Sequence, residues 1–174
     1  FYAQRRALCA PFEPNLAPDF LSVLRTVDQG YRALNEPAAV GYMHAVSDPR
    51  QEFQRKVRTI LRGLTTLGAY RHMLAPWRTG VFALELLSHK LMRWLVPLFM
   101  LAMLVSSAVL AAESRFFAVV LALQIVFYGL AWWGRDGASV PGLGLPTKVA
   151  TYFTAANVAT LVARIKYVSG ERSE

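Results

Sequence analysis

The chain has 174 residues, 55% of them apolar, with a mean hydropathy of +0.32 and a formal charge of +8. That length allows one ordinary domain or part of a larger one, and the apolar content is above that of an ordinary soluble domain. Its one cysteine, Cys9, excludes an internal disulfide and a cysteine-based metal site, and is expected to act as a small buried packer.

The chain opens on Phe1 with no cleavable signal pattern and is read as the end of a longer protein. Residues 1–49 contain no membrane-length run. "PDFLSVLRTVDQG" predicts a short helix, with Pro18 in its first turn, Asp19 near the positive end of the dipole and Gly30 as the stop. Phe20, Val23, Leu24 and Val27 supply its apolar face. "YRALNEPAAVGYM" is then expected as two extended pieces around a turn at "NEP", so that a helix feeds a strand. The segment is too small to fold alone, and its core is expected to come from sequence upstream.

Residues 50–93 are strongly basic, with nine Lys and Arg against two Glu, a net +7 of the chain's +8. Within them "QEFQRKVRTILRG" and its continuation place Phe53, Val57, Ile60, Leu64 and Leu67 on one helical stripe and Arg55, Arg58 and Arg62 on another. This is the pattern of a basic amphipathic helix lying in the headgroup region. "PWRTGVFALELLSHKLMRWL" is a second amphipathic element, with Trp77, Arg78, Lys90, Arg93 and Trp94 as interfacial residue types. His89 lacks a second ligand at metal spacing and is expected to pack at the interface, and His44 and His72 have no better setting.

Between Arg93 and Glu113 stand nineteen uncharged residues, and between Arg115 and Arg135 nineteen more. Each run suits a helix crossing about 30 Å of hydrocarbon, and neither shows a polar face. They predict a transmembrane hairpin with spans near 94–112 and 116–134, joined through "ESR". Ser106, Ser107 and Gln124 are expected to bond between helices. Trp132 and Trp133 fit an interfacial aromatic belt, and Pro97 is read as a kink or first-turn proline. Gly134–Lys148 reads as a loop, and a third segment at about 148–166 is left as spanning or interfacial. The basic concentration places its flank in the cytoplasm, and no nucleic-acid module surrounds it, so nucleic acid is not expected as a partner.

One family unites these features. Tyr2, Ala3, Arg5, Arg6, Asp19, Gly30, Tyr31, Arg32, Glu36, Pro37 and Ala39, followed by "RKVRT", "SHKLMRWLVP" and the apolar runs, occur in an order that resembles membrane-bound, inverting family 2 glycosyltransferases. The resemblance covers essentially the whole chain. It implies a mostly α fold class: a C-terminal remnant of an α/β, GT-A-like catalytic domain at 1–49, amphipathic juxtamembrane helices at 50–93 and a membrane region at 94–174. It further implies an integral membrane protein of a bacterial inner membrane, with its catalytic portion cytoplasmic.

The same resemblance implies transfer of a sugar from a nucleotide-sugar donor to a polysaccharide or lipid-linked acceptor, with inversion. Asp19 matches the family's catalytic base, although Pro18 replaces the first acid of the usual pair. Aligned on Arg58, the Gln-x-x-Arg-Trp motif places Arg55 at the Gln position, Lys56 beside it and Thr59 where Trp would stand. Arg55, Arg58 and Lys56 are thus the expected diphosphate-binding residues, and Tyr2 and Arg5 the acceptor-side candidates. The missing Trp removes a stacking floor and argues against processive synthesis. Mg²⁺ or Mn²⁺ is the implied cofactor, held by an Asp-x-Asp that the resemblance puts before Phe1, so the segment alone is expected to be inactive. A reading from another class is a small non-enzymatic membrane adaptor whose amphipathic helices dock a partner or anionic lipid.

Overall fold

A computed structural model describes residues 3–11, 13–42, 48–138 and 142–171. Among the described residues the fold is mostly helical and contains no strand. The long helices are α1 (Pro18–Asp28), α2 (Pro49–Ala69), α3 (Val81–Leu110), α4 (Arg115–Gly134) and α5 (Gly144–Val168). The chain divides into two compact units, Phe1–Arg93 with Val162–Glu174, and Trp94–Leu161.

In the first unit α1 starts at Pro18 and ends where Gly30, at φ +82°, turns the chain out of the helix. Phe20, Leu21 and Leu24 are buried on α1 and Val57, Leu61 and Leu67 on α2, and the two helices are in contact. Polar bonds fix the pairing: the Ala17 amide donates to Thr66 Oγ1 at 2.9 Å, and Arg25 Nε donates to the Tyr70 hydroxyl at 3.2 Å. His72 Nε2 meets Asp28 Oδ1 at 3.1 Å at the same end of the pair.

The apolar stripe of α2 therefore faces protein rather than lipid. Val57 and Leu67 are buried, and Phe53, Ile60 and Leu64 are half-buried. Periodicity identified the face correctly but could not show that it is covered by protein.

The expected strand after α1 does not form. Tyr31–Tyr42 has no regular secondary structure apart from a turn at Glu36–Ala39, where the Ala39 amide bonds the Glu36 carbonyl at 3.1 Å, as "NEP" predicted. A strand needs a neighbour for its backbone N–H and C=O groups, and none stands beside this segment among the described residues. Met43 and His44 lie outside them. Cys9 is exposed rather than packed, since it follows a 3₁₀ turn (Arg6–Leu8) at the surface.

A helical turn at Pro76–Thr79 ends on Gly80, whose φ of +59° and ψ of −130° suit only glycine, and α3 starts immediately after it. α3 runs 30 residues and widens to π-helical hydrogen bonding over Leu86–Leu91. Because it begins at Val81, Pro97 lies in its interior and not in its first turn. Trp77 is exposed as expected of an interfacial residue, whereas Trp94 is buried.

α3 and α4 are the two helices among the described residues that are long and apolar enough to cross a membrane, with window hydropathies of 1.8 and 2.0. Only 11% of each window is buried in protein, which separates them from the core helices of a soluble domain. Phe99, Leu101, Val105, Phe116, Val119 and Ile125 all present apolar side chains outward.

Within the second unit Gln124 Nε2 donates to Ser107 Oγ at 3.1 Å, both side chains being buried, which is the expected interhelical bond. Phe127 meets Phe153 edge to face at 5.9 Å between ring centres. Trp132 and Trp133 are exposed, and the Arg135 guanidinium stacks 3.8 Å over the Trp132 ring.

α5 begins at Gly144, inside the stretch expected as loop, because Pro146 falls in the first turn, where the missing N–H has no helical acceptor. α5 then passes close to Gly134: a Cβ there would collide with Thr151 Oγ1 and lie 2.7 Å from Thr147 Cγ2. Both obstacles are short β-branched side chains that cannot swing aside. Gly134→Val is expected to force α4 from α5 and to destabilise the second unit by about 1–3 kcal/mol. Titration with a denaturing detergent, followed by helical circular dichroism, checks this; an unchanged midpoint would mean that the two helices separate freely.

Candidate functional site

Asp19 is the second residue of α1, and Ala17, not Asp19, is the N-cap. Its carboxylate is exposed and makes no hydrogen bond or ion pair among the described residues. It lines a hollow of ≈ 480 Å³ together with Phe20, Ser22, Val23, Phe82, Glu85, Leu86, His89 and Lys90.

The residues from α3 fall at spacings of three and four along one face, so the first turns of that helix form one wall and α1 the other. Phe20 and Leu86 make an apolar floor, while Asp19, Glu85, His89 and Lys90 are exposed at the rim. Lys90 Nζ stands 4.5 Å from the centre of the Phe20 ring, a cation–π contact across the hollow. His89 lies within the π-helical turn and is exposed at the rim. Among the described residues no three His, Cys, Asp or Glu side chains gather as a metal site, so they do not fit the implied divalent cation.

Arg5 lines a second hollow, of ≈ 400 Å³, with Gln4, Thr26, Tyr31 and Arg32 among its neighbours, and its guanidinium lies 5.7 Å from the Tyr31 ring centre. Gln4 Nε2 bonds the Leu8 carbonyl at 3.2 Å and Thr26 Oγ1 at 3.3 Å, which holds this wall to α1. Ser22 and Val23 border both hollows, so the Arg5 and Asp19 hollows adjoin across α1. Tyr2 lies outside the described residues.

Arg55 and Arg58 share a third, shallower concavity of ≈ 430 Å³ on α2, lined also by Arg50, Gln51 and Gln54. None of its residues lines the Asp19 hollow, so the structure does not bring the expected base and the expected diphosphate residues into one cavity. Arg55 is engaged by Glu52 through two bonds, Nε to Oε2 at 2.7 Å and Nη2 to Oε1 at 2.8 Å, and Lys56 Nζ stands 3.7 Å from the same carboxylate. The hydrogen bond from Arg55, then its charge and that of Lys56, hold the Glu52 carboxyl below the usual range, against its partial burial. The same bond holds Arg55 above its usual value.

An arginine whose fork is occupied by a carboxylate is poorly placed to take an incoming anion. Arg50 and Arg58 have no carboxylate partner among the described residues, and with Gln54 they stand at i, i+4 and i+8 on one face. Gln54, out of register in the linear motif, is in register on the helix. Helical spacing in the sequence was the signal that could have found Arg50 and Gln54; nothing in it marked the π-helical turn that carries His89 and Lys90.

No family model matches the chain, and no curated protein or solved structure matches it either. The fold and site define a helical protein with two membrane-length helices and a charged, apolar-floored hollow at the start of the first.

Proposed function

We propose that the chain is the membrane-proximal part of an inverting glycosyltransferase, with Asp19 as the base that deprotonates the acceptor. The supporting observation is the uncommitted carboxylate of Asp19 in a hollow walled by the first turns of a membrane-length helix. The order of motifs in the sequence supports the same reading.

In the reaction the acceptor oxygen attacks the anomeric carbon of a nucleotide sugar. A new carbon–oxygen bond forms on one face as the bond to the diphosphate breaks on the other. The acceptor proton passes to Asp19, and the nucleoside diphosphate leaves. Cations stabilise the charge that develops on the leaving diphosphate. Of the α2 cations, Arg58 and Arg50 are freer for that part than Arg55 and Lys56, which already hold Glu52, although they line a concavity separate from the Asp19 hollow. A bound divalent ion would supply further charge neutralisation; its ligands are not among the described residues. In this reading the basic flank of the membrane helices lies in the cytoplasm of a bacterial cell, where nucleotide sugars are available.

Membranes carrying the complete protein are expected to transfer label from a radiolabelled nucleotide hexose into an acceptor, and membranes without it are not. Absence of transfer across a panel of such donors would sink the reading.

A second reading, a membrane adaptor, draws on the exposed apolar side chains of Leu34, Val40 and Tyr42 in the irregular segment after α1, which suit a docking partner. It predicts that Asp19→Asn leaves function intact.

A further inference from the structure

We propose that α5 does not cross the membrane: α3 and α4 are the two spans, and the C-terminal end of α5 is held on α2, on the face of the bilayer from which α3 starts. The proposal is independent of the chemistry at Asp19 and goes beyond both readings of function.

Length alone would allow α5 to span. Its 25 residues rise about 37 Å as a helix, more than the roughly 30 Å of hydrocarbon. Its composition does not suit the bilayer, since it carries four Thr, Asn157, Lys148, Arg164 and Lys166, and it is not one of the helices apolar enough to cross.

The burial pattern of α5 shows that its two halves are gripped from opposite sides. In the first half Thr147, Ala150 and the Thr154 hydroxyl are buried, at spacings of three and four along one face. In the second half Ala159 and Ala163 are fully buried. Ala150 to Ala159, and Thr154 to Ala163, are steps of nine residues, about two and a half helical turns, so the buried face has moved to the other side of the helix. A helix crossing the bilayer against one partner would keep one face inward along its length. The first half of α5 has α4 as its partner, through Gly134 and the Phe127–Phe153 pair.

The end of α5 has α2. A Cβ on Gly68 would collide with the Tyr167 hydroxyl and stand 3.4 Å from its Cζ, so the tip of the ring rests on bare α2 backbone. Val162–Glu174 accordingly belongs to the same compact unit as Phe1–Arg93.

Counting crossings then fixes the topology. Among the described residues no membrane-length helix precedes α3, so α2 lies on the face from which α3 starts. α3 leaves that face, α4 returns to it, and α5 begins there. Tyr167, seated on Gly68, is on that face as well, and a helix with both ends on one face has not crossed. A single crossing would carry Tyr167 about 30 Å from α2. Arg164 and Lys166 thereby stay on the same side as the basic α2, which accords with the bias of Lys and Arg toward one face.

The test uses the complete protein with every native cysteine, Cys9 included, replaced by serine, in sealed right-side-out and inverted membrane vesicles. Thr59→Cys on α2, Glu113→Cys between α3 and α4, and Ser169→Cys after α5 each place one thiol at an exposed position. A membrane-impermeant maleimide is expected to label Ser169→Cys in the same vesicles as Thr59→Cys, and Glu113→Cys in the opposite ones. The double variant Gly68→Cys, Tyr167→Cys is expected to cross-link within one chain through a short bifunctional maleimide. Labelling of Ser169→Cys together with Glu113→Cys overturns the proposal, and so does its reaction with a membrane-permeant maleimide alone, which would put Ser169 inside the bilayer. Failure to cross-link two cysteines that each react with a monofunctional maleimide removes the contact with α2 and overturns it too. None of these results bears on sugar transfer, so the glycosyltransferase reading stands or falls separately.

Discussion

Asp19→Asn in the complete protein is expected to lower sugar transfer about 10²–10⁴-fold, the usual contribution of a positioned general base. The change is nearly isosteric and removes the one property a base needs, a carboxylate lone pair able to take a proton. Little else depends on that group. Asp19 is exposed, Ala17 and not Asp19 caps α1, and the Asp19 carboxylate bonds nothing among the described residues. Helical content, membrane insertion and protease resistance are therefore expected to match the parent. The donor KM is expected to change little, because the carboxylate faces the acceptor in this mechanism, so the loss appears in kcat. Transfer within about threefold of the parent would remove Asp19 from the chemistry and favour the adaptor reading.

How far the sequence could be read depended on whether a feature was local. α1 was legible because Pro18 and Gly30 set its limits through their own backbone preferences, with apolar residues at helical spacing between them. The α3–α4 pair was legible because nineteen uncharged residues in a row leave few other solutions, and Ser107 and Gln124 were the polar groups there in need of partners. What covers a face is not local. The stripe on α2 was correctly drawn and assigned to lipid, yet it is buried or half-buried in protein, and only the fold shows the Ala17 to Thr66 bond that ties α1 to this helix.

The site was legible in part for the same reason. Asp19, Arg55 and Arg58 were singled out by linear motif, but a motif does not register who else holds a side chain. Glu52 holds Arg55, and Arg50 and Gln54 join Arg58 only on the helical surface. The wall opposite Asp19 includes a π-helical turn for which "LLSHKL" carries no recognisable signal. The start of α5 was missed because glycine and proline were read as loop formers, although a first turn tolerates both.

Leu24→Ala should have the largest effect on stability, about 2–5 kcal/mol. Leu24 is fully buried at 0% exposure, on the face of α1 that packs on α2. Truncation removes its apolar contacts and leaves a cavity between two helices that polar bonds at both ends prevent from closing: Ala17 to Thr66 at one end, Arg25 to Tyr70 and His72 to Asp28 at the other. For a chain of this size such a loss lowers the unfolding midpoint in detergent by on the order of 10 °C. The contrast with Asp19→Asn separates scaffold from chemistry. Leu24→Ala should lower transfer only as far as it lowers the folded fraction, with the specific activity of surviving protein largely kept, whereas Asp19→Asn removes activity from protein that is fully folded. A Leu24→Ala protein with an unaltered midpoint would show that α1 is not held by its buried face. The position of Asp19 would then have to be fixed by the polar ties alone, which Thr66→Val would expose by removing the acceptor of the Ala17 amide.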